Sequence, residues 1–299
     1  MFSIIPSVSY AQEVPREQDG LGFALEELLT DKGKLRLDVG MTYNAKSGDD
    51  ISAAYQTIET GAGKFVSVPV NVGLGKREAD IAIGTVSARY GLTSKTELFA
   101  RTSLYTANIR MSGGIIDFSK NETNSGFLNL ALGVNQRFIE EGKYPGLIGF
   151  IDVTAAEKAD SAGSTVVFGK SGAIGLTAYK TLDPVVLSFT AGFRPSLSRS
   201  VNGDDINPGD TVFVNPSIAF AVNNELTLTG GLSLRFQGAD EVNGKSRSVR
   251  QTRGELEFGV AYAVNQTTTF RANAQAEVVG QNGLTLGASI AKKFGGATP

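Results

Sequence analysis

The sequence predicts an all-β chain: one antiparallel up-and-down transmembrane barrel of about twelve strands, with a short amphipathic helix before it. Three observations carry that reading. Runs that alternate apolar and polar residues recur along the whole chain. Most are about 9 to 12 residues long, which is what a tilted strand needs to cross a bilayer. The connections between them are short and long in turn, and that is the topology of membrane barrels.

Composition agrees and excludes other classes. The 299 residues carry a formal net charge of -2, so no polybasic surface points to nucleic acid. There are 36 glycines, which suits many strands and many turns. Cysteine, histidine and tryptophan are all absent. That leaves no thiolate nucleophile, no imidazole base and no zinc site of the usual kind. No catalytic residue, cofactor or metal is expected.

The chain begins MFSIIPSVSYAQEVP. Ser9-Tyr10-Ala11 ahead of Gln12 has the small-x-small pattern of a signal-peptidase site, so residues 1–11 read as the remnant of a secretory signal. Residues 12–33 then form a periplasmic segment. Within DGLGFALEELLTDKGK (19–34), Leu21, Ala24, Leu25, Leu28 and Leu29 fall at helical spacing opposite Glu26, Glu27 and Asp31, and Gly33 is a plausible C-cap. The apolar stripe Leu21, Leu25, Leu28 and Leu29 suits a plug in the barrel mouth. Binding to a periplasmic partner, or packing under the rim, fits as well.

The barrel proper is assigned to 34–294 and a tail to 295–299. KLRLDVGMTY (34–43) sets Leu35, Leu37, Val39, Met41 and Tyr43 against Arg36 and Asp38. ARYGLTSKTELFARTSLY (88–105) is a hairpin in which Leu98, Ala100, Thr102 and Leu104 oppose Glu97, Phe99, Arg101 and Ser103. GFLNLALGVNQRF (126–138) places Leu128, Leu130, Leu132, Val134 and Phe138 opposite Asn129, Asn135 and Arg137. The runs 185–194, 225–236, 254–262, 267–278 and 283–294 repeat the arrangement, and weaker ones lie at 80–90, 146–156, 170–180 and 211–222. Short turns fall at 92–95, 139–144, 181–184, 222–224 and 264–266. Longer polar loops fall at 45–79, 106–125, 157–169, 196–210 and 237–251. Both termini then lie on the short-turn side, the periplasm. Loop 45–79 contains its own alternation, Phe65 to Val70; it extends a strand, forms a surface hairpin with Gln56–Thr60, or raises the count to fourteen.

Alternation alone fits a soluble sandwich as well as a membrane barrel, with the two faces exchanged. Strand length, turn asymmetry and aromatics at strand ends (Tyr43, Tyr90, Phe138, Phe193, Phe236, Tyr262 and Phe294) favour the membrane. The charged face is then a lumen. Its predicted cations are Arg36, Arg89, Arg101, Arg137, Arg194, Arg235, Arg253 and Arg271. Its predicted anions are Asp38, Glu97, Asp152, Glu255, Glu257 and Glu277. Such charges either pair and fill the bore or line a watery passage. Small inward residues such as Gly133, Gly175, Gly192 and Gly287 favour a passage.

Other motifs are weak. Gly61-Ala62-Gly63-Lys64 lacks the rest of a P-loop, and Asn202–Asn207 lacks EF-hand spacing. Glu255 and Glu257 share a face, where pairing with arginine outweighs acid–base work.

The hairpin YGLTSKTELFARTSLY resembles the Gly-Leu-Thr-x-x-x-Glu-Leu turns of Gram-negative outer-membrane barrels. ALEELLTDKGKLRLDVGMTYN (24–44) followed by that hairpin resembles the family of the meta-pathway of phenol degradation. It is similar, too, to the functional-amyloid export barrel of the Fap system, which implies twelve strands and an N-terminal plug helix. The match is good over the first third and rests on strand pattern beyond it. No coiled coil precedes the helix, and Phe294 is followed by Gly-Gly-Ala-Thr-Pro instead of ending the chain.

The expectation is a narrow, gated, charged channel or exporter in the Gram-negative outer membrane, with the N-terminal helix as one candidate plug, and not an enzyme. It would pass a small solute or an unfolded polypeptide, with loops 45–79 and 106–125 restricting the outer mouth. Its partners would be outer-membrane lipid and the barrel-insertion machinery. A structural barrel with binding loops and no open pore is the alternative.

Overall fold

The computed structural model describes residues 29–61, 64–113, 119–159, 165–201, 203–280 and 282–295. Among these, twelve long strands form one closed antiparallel barrel. The first four are long: β1 Leu35–Gly61, β2 Lys64–Gly91, β3 Thr96–Gly113 and β4 Ser119–Ile139. The next four are β5 Gly146–Lys158, β6 Ser171–Leu182, β7 Val185–Arg194 and β8 Thr211–Ala221. The last four are β9 Leu226–Gln237, β10 Gln251–Asn265, β11 Thr268–Val279 and β12 Asn282–Phe294. Each strand pairs with the next in sequence. β12 closes on β1 from Leu35↔Phe294 to Ser47↔Asn282, so no barrel-height edge is left open.

The two faces are the reverse of a soluble protein's. Met41, Leu104 and Phe258 point outward and are 59%, 59% and 65% exposed, whereas inward Glu97 and Thr177 are 0% exposed. Only a surrounding apolar solvent makes that arrangement stable. The strand-end aromatics lie on the outer face in two bands. Tyr90, Phe138, Tyr262 and Phe294 are near the short turns, and Tyr43, Phe193 and Phe236 are toward the long loops. No helix occurs in the described residues. The predicted helix lies outside them apart from Leu29 and Thr30, which are not helical.

Three features differ from the simple alternation. β1 and β2 have 27 and 28 residues, well beyond what a bilayer requires, because segment 45–79 continues both strands as one hairpin. Gln56 pairs with Val68 and Ile58 with Val66, so the extra alternation lengthens two strands and the count stays at twelve. In β4 a bulge opposite Ser103 and Leu104 inserts Leu128. Leu128, expected outside, therefore turns inward, is 3% exposed and packs with Ile83, Tyr105 and Ala107. Finally, the loops after β7 and β9 are structured. Arg199–Val201, Asp204–Asn207, Glu241–Val242 and Lys245–Ser246 form a small four-stranded sheet.

A candidate solute site inside the barrel

The inward side chains enclose a cavity of about 500 Å³. Of the predicted lumen charges, Asp38, Arg101, Arg194, Arg235, Arg253 and Glu255 line it. Arg36, Glu97 and Asp152 are buried beyond its wall, and Arg89, Arg137, Glu257, Arg271 and Glu277 are half-buried. All fourteen stand on the inward face of their strands, because the two-residue period fixes the side once the apolar face meets lipid.

These charges are paired in local sets. Arg36 lies 2.8 Å from Asp38, which Arg271 also approaches at 3.3 Å. Arg235 meets Glu255 at 3.3 Å. Glu257 accepts from Asn273 at 3.4 Å, and Arg253 donates to Gln251 at 3.0 Å. Several cavity groups carry no signal in the alternation. Arg199 reaches down from the small sheet to Glu157 at 2.8 Å, and Arg247 lines the same space. Lys158 donates to the hydroxyl of Tyr105 and lies 4.8 Å from its ring centroid. The outer wall of the cavity thus comes from loops 195–210 and 238–250. The described residues of segments 45–79 and 106–125, expected there, run as strand extensions instead. The acidic stretch Asp204–Asn207 is one of the small strands, and Asp204 accepts from Asn243 at 2.8 Å. Among the described residues no three acidic side chains gather as a metal site.

At the short-turn end the N-terminal segment enters the barrel. Gly33 N–H donates to the Gly91 carbonyl at 2.7 Å, fixing the segment beside β2. The carboxylate of Glu97, fully buried, accepts the Thr30 N–H at 2.7 Å, Asn135 at 2.7 Å and Arg89 Nε at 2.9 Å. Leu29, 6% exposed, packs against Ile148 and Tyr179 on β5 and β6. The other expected plug residues, Leu21, Leu25 and Leu28, lie outside the described residues.

The small inward residues do not all leave space. A Cβ added to Gly133 would run into the ring of Phe99, one on Gly175 into Phe150, and one on Gly192 into Phe213. Each glycine seats an aromatic ring from the adjacent strand flat on the wall. Phe150 and Phe213 stack, with centroids 6.3 Å apart.

Over residues 40–294 the sequence matches the family of the MetA-pathway of phenol degradation. The chain belongs to that family. No curated protein matches it in sequence. In fold it is similar to the COG4313 outer membrane channel from Pseudomonas putida F1, with 11% identity, a TM-score of 0.61 and coverage of 91% of this chain and 100% of the channel. The transport unit of the autotransporter AIDA-I from Escherichia coli is similar at 10% identity and a TM-score of 0.51, over 92% of this chain and 93% of that unit. At such identities the likeness is one of architecture: this family member has the fold of outer-membrane β-barrels.

Proposed function

We propose that the protein is an outer-membrane channel for small solutes, with a narrow charged lumen and an N-terminal segment that plugs its periplasmic end. The observation that carries this is a cavity lined by charged and apolar side chains together, held inside a closed barrel whose outer face is apolar. Water-compatible walls at that depth suit passage of a solute rather than mere support of the fold. Both termini face the periplasm in this reading, since the short turns lie at their end.

The plug is supported by the burial of Leu29 and by the bond from Thr30 to Glu97, which draw the segment into the bore. An unfolded polypeptide fits this lumen less well than a small molecule, because Phe99, Phe150 and Phe213 occupy part of it.

Single-channel recording in planar bilayers, with and without residues 12–33, tests the reading. Low conductance that rises on deletion is expected. Conductance unaffected by deletion would retain the channel and remove the plug. No conductance from either form, despite confirmed insertion, would leave a structural barrel with binding loops.

A further inference from the structure

The barrel mouth at the short-turn end is rich in arginine. Arg36 on β1, Arg89 on β2, Arg137 on β4 and Arg271 on β11 stand on its inward face. Two carboxylates meet three of them. Asp38 lies 2.8 Å from Arg36 and 3.3 Å from Arg271, and Glu97 lies 2.8 Å from Arg89. Among the described residues no carboxylate pairs with Arg137, and its Nε is shut off from solvent without a hydrogen bond. A guanidinium held in that way calls for an acceptor.

The N-terminal segment crosses the mouth at this residue. Thr30 donates to Glu97 on β3, while Leu29 packs on Ile148 of β5 and Tyr179 of β6. Arg137 is on the strand between them, paired directly with Ile148. The crossing is close-fitting: a Cβ on Gly91 would strike the backbone of Thr30 and Asp31. Glu27 stands two residues before Leu29, within about 7 Å of it along the chain, and Glu26 is next to it. Residues 12–28 as a whole carry five acids against Arg16 alone. The segment thus brings the sign of charge that Arg137 lacks.

We propose that Glu26 and Glu27 dock on Arg137, so that the acidic segment 12–28 stops the inner mouth by charge and is loosened by salt. Residues 1–28 lie outside the described part of the chain. Three features of the described part name them as the occupant: where the chain stands at Leu29, the unmet guanidinium beside it, and the opposite charge. A stopper held by apolar burial alone would stay seated in concentrated salt. One held by an ion pair at the mouth loosens, because the screening length falls to about 3 Å at about 1 M. This deepens the proposed function by naming the plug's fastening, and it rests on that reading only for the effect on passage.

The chain has no cysteine, so a single Ala24→Cys reports where the segment lies through its rate of labelling by a PEG-maleimide. In the full chain, folded in detergent micelles at low salt, labelling much slower than in the unfolded chain is expected. Arg137→Glu should speed it by at least about ten-fold, and about 1 M KCl should act in the same direction. Adding Glu26→Arg and Glu27→Arg to Arg137→Glu should restore most of the protection. Arg137→Gln, a milder change, should give a smaller acceleration, and heat-modified gel migration confirms that each variant is folded. Labelling indifferent to the charge at 137 and to salt would overturn the inference. Protection lost on dilution would overturn it too, by placing the segment in a second copy of the chain. Charge-dependent labelling with conductance unaffected by deletion of residues 12–33 would keep the docking and sink the plug. Conductance that rises on deletion, with labelling indifferent to Arg137, would do the reverse.

Discussion

Glu97 shows how much one buried carboxylate holds together. It collects Arg89 on β2, Asn135 on β4 and the backbone of Thr30, so strap and wall share one anion. Removing one partner from a buried ion pair costs about 3–5 kcal/mol, because the other charge stays buried. Glu97→Gln is therefore expected to lower unfolding free energy in urea by roughly that amount; an unchanged midpoint would show that the pair contributes nothing. Gly192 works in the opposite sense, by having no side chain. Valine there would push into the Phe213 ring, at about 1–3 kcal/mol for overpacking. Gly84→Ala, where a new Cβ meets nothing within 4 Å, is the control. Adding Phe213→Leu to Gly192→Val should recover part of the loss if the ring is the cause.

At the scale of the strand, alternation decides which solvent each side chain meets. Phe189 sits mid-way along β7 and is 49% exposed on the outer face, while its neighbours Ser188 and Thr190 face inward. Phe189→Arg should cost about 2–4 kcal/mol in lipid vesicles, as a charge near the bilayer midplane does. Ser188→Ala should cost far less. Equal losses from the two variants would mean that the faces have been assigned the wrong way round. One bulge is enough to exchange faces locally, as Leu128 shows: an extra residue in β4 moves a leucine from lipid to cavity.

For the whole molecule, barrel and projection are separable. The barrel seam closes by Ser47↔Asn282, and the outer hairpin continues past it with β1 and β2 paired to each other. Deleting residues 51–73 is therefore expected to leave the folded, heat-modifiable barrel and its urea midpoint unchanged. Loss of folding would show that the projection is part of the barrel's stability. The cavity, by contrast, belongs to the complete ring: its lining comes from ten or more strands and from the two loops of the small sheet, so no fragment contains it.

By itself the sequence determined the antiparallel barrel and the inward side of Arg36, Arg101, Arg235 and their acidic neighbours, while the pairing of residues 51–61 with 64–74 decided twelve strands over fourteen. The sequence did so because a period of two ties each residue's face to that of its neighbour, and the apolar face selects lipid. Only the tertiary structure decided which of those charges meet, since Asp38 and Arg271 are joined by the closing pairing of β1, β12 and β11 and not by any spacing along the chain. It also decided that loops 195–210 and 238–250 cover the cavity, that Leu128 turns inward, and that small residues carry rings instead of open space. Each depends on what stands across the barrel or on the adjoining strand, and alternation along a strand holds no information about either.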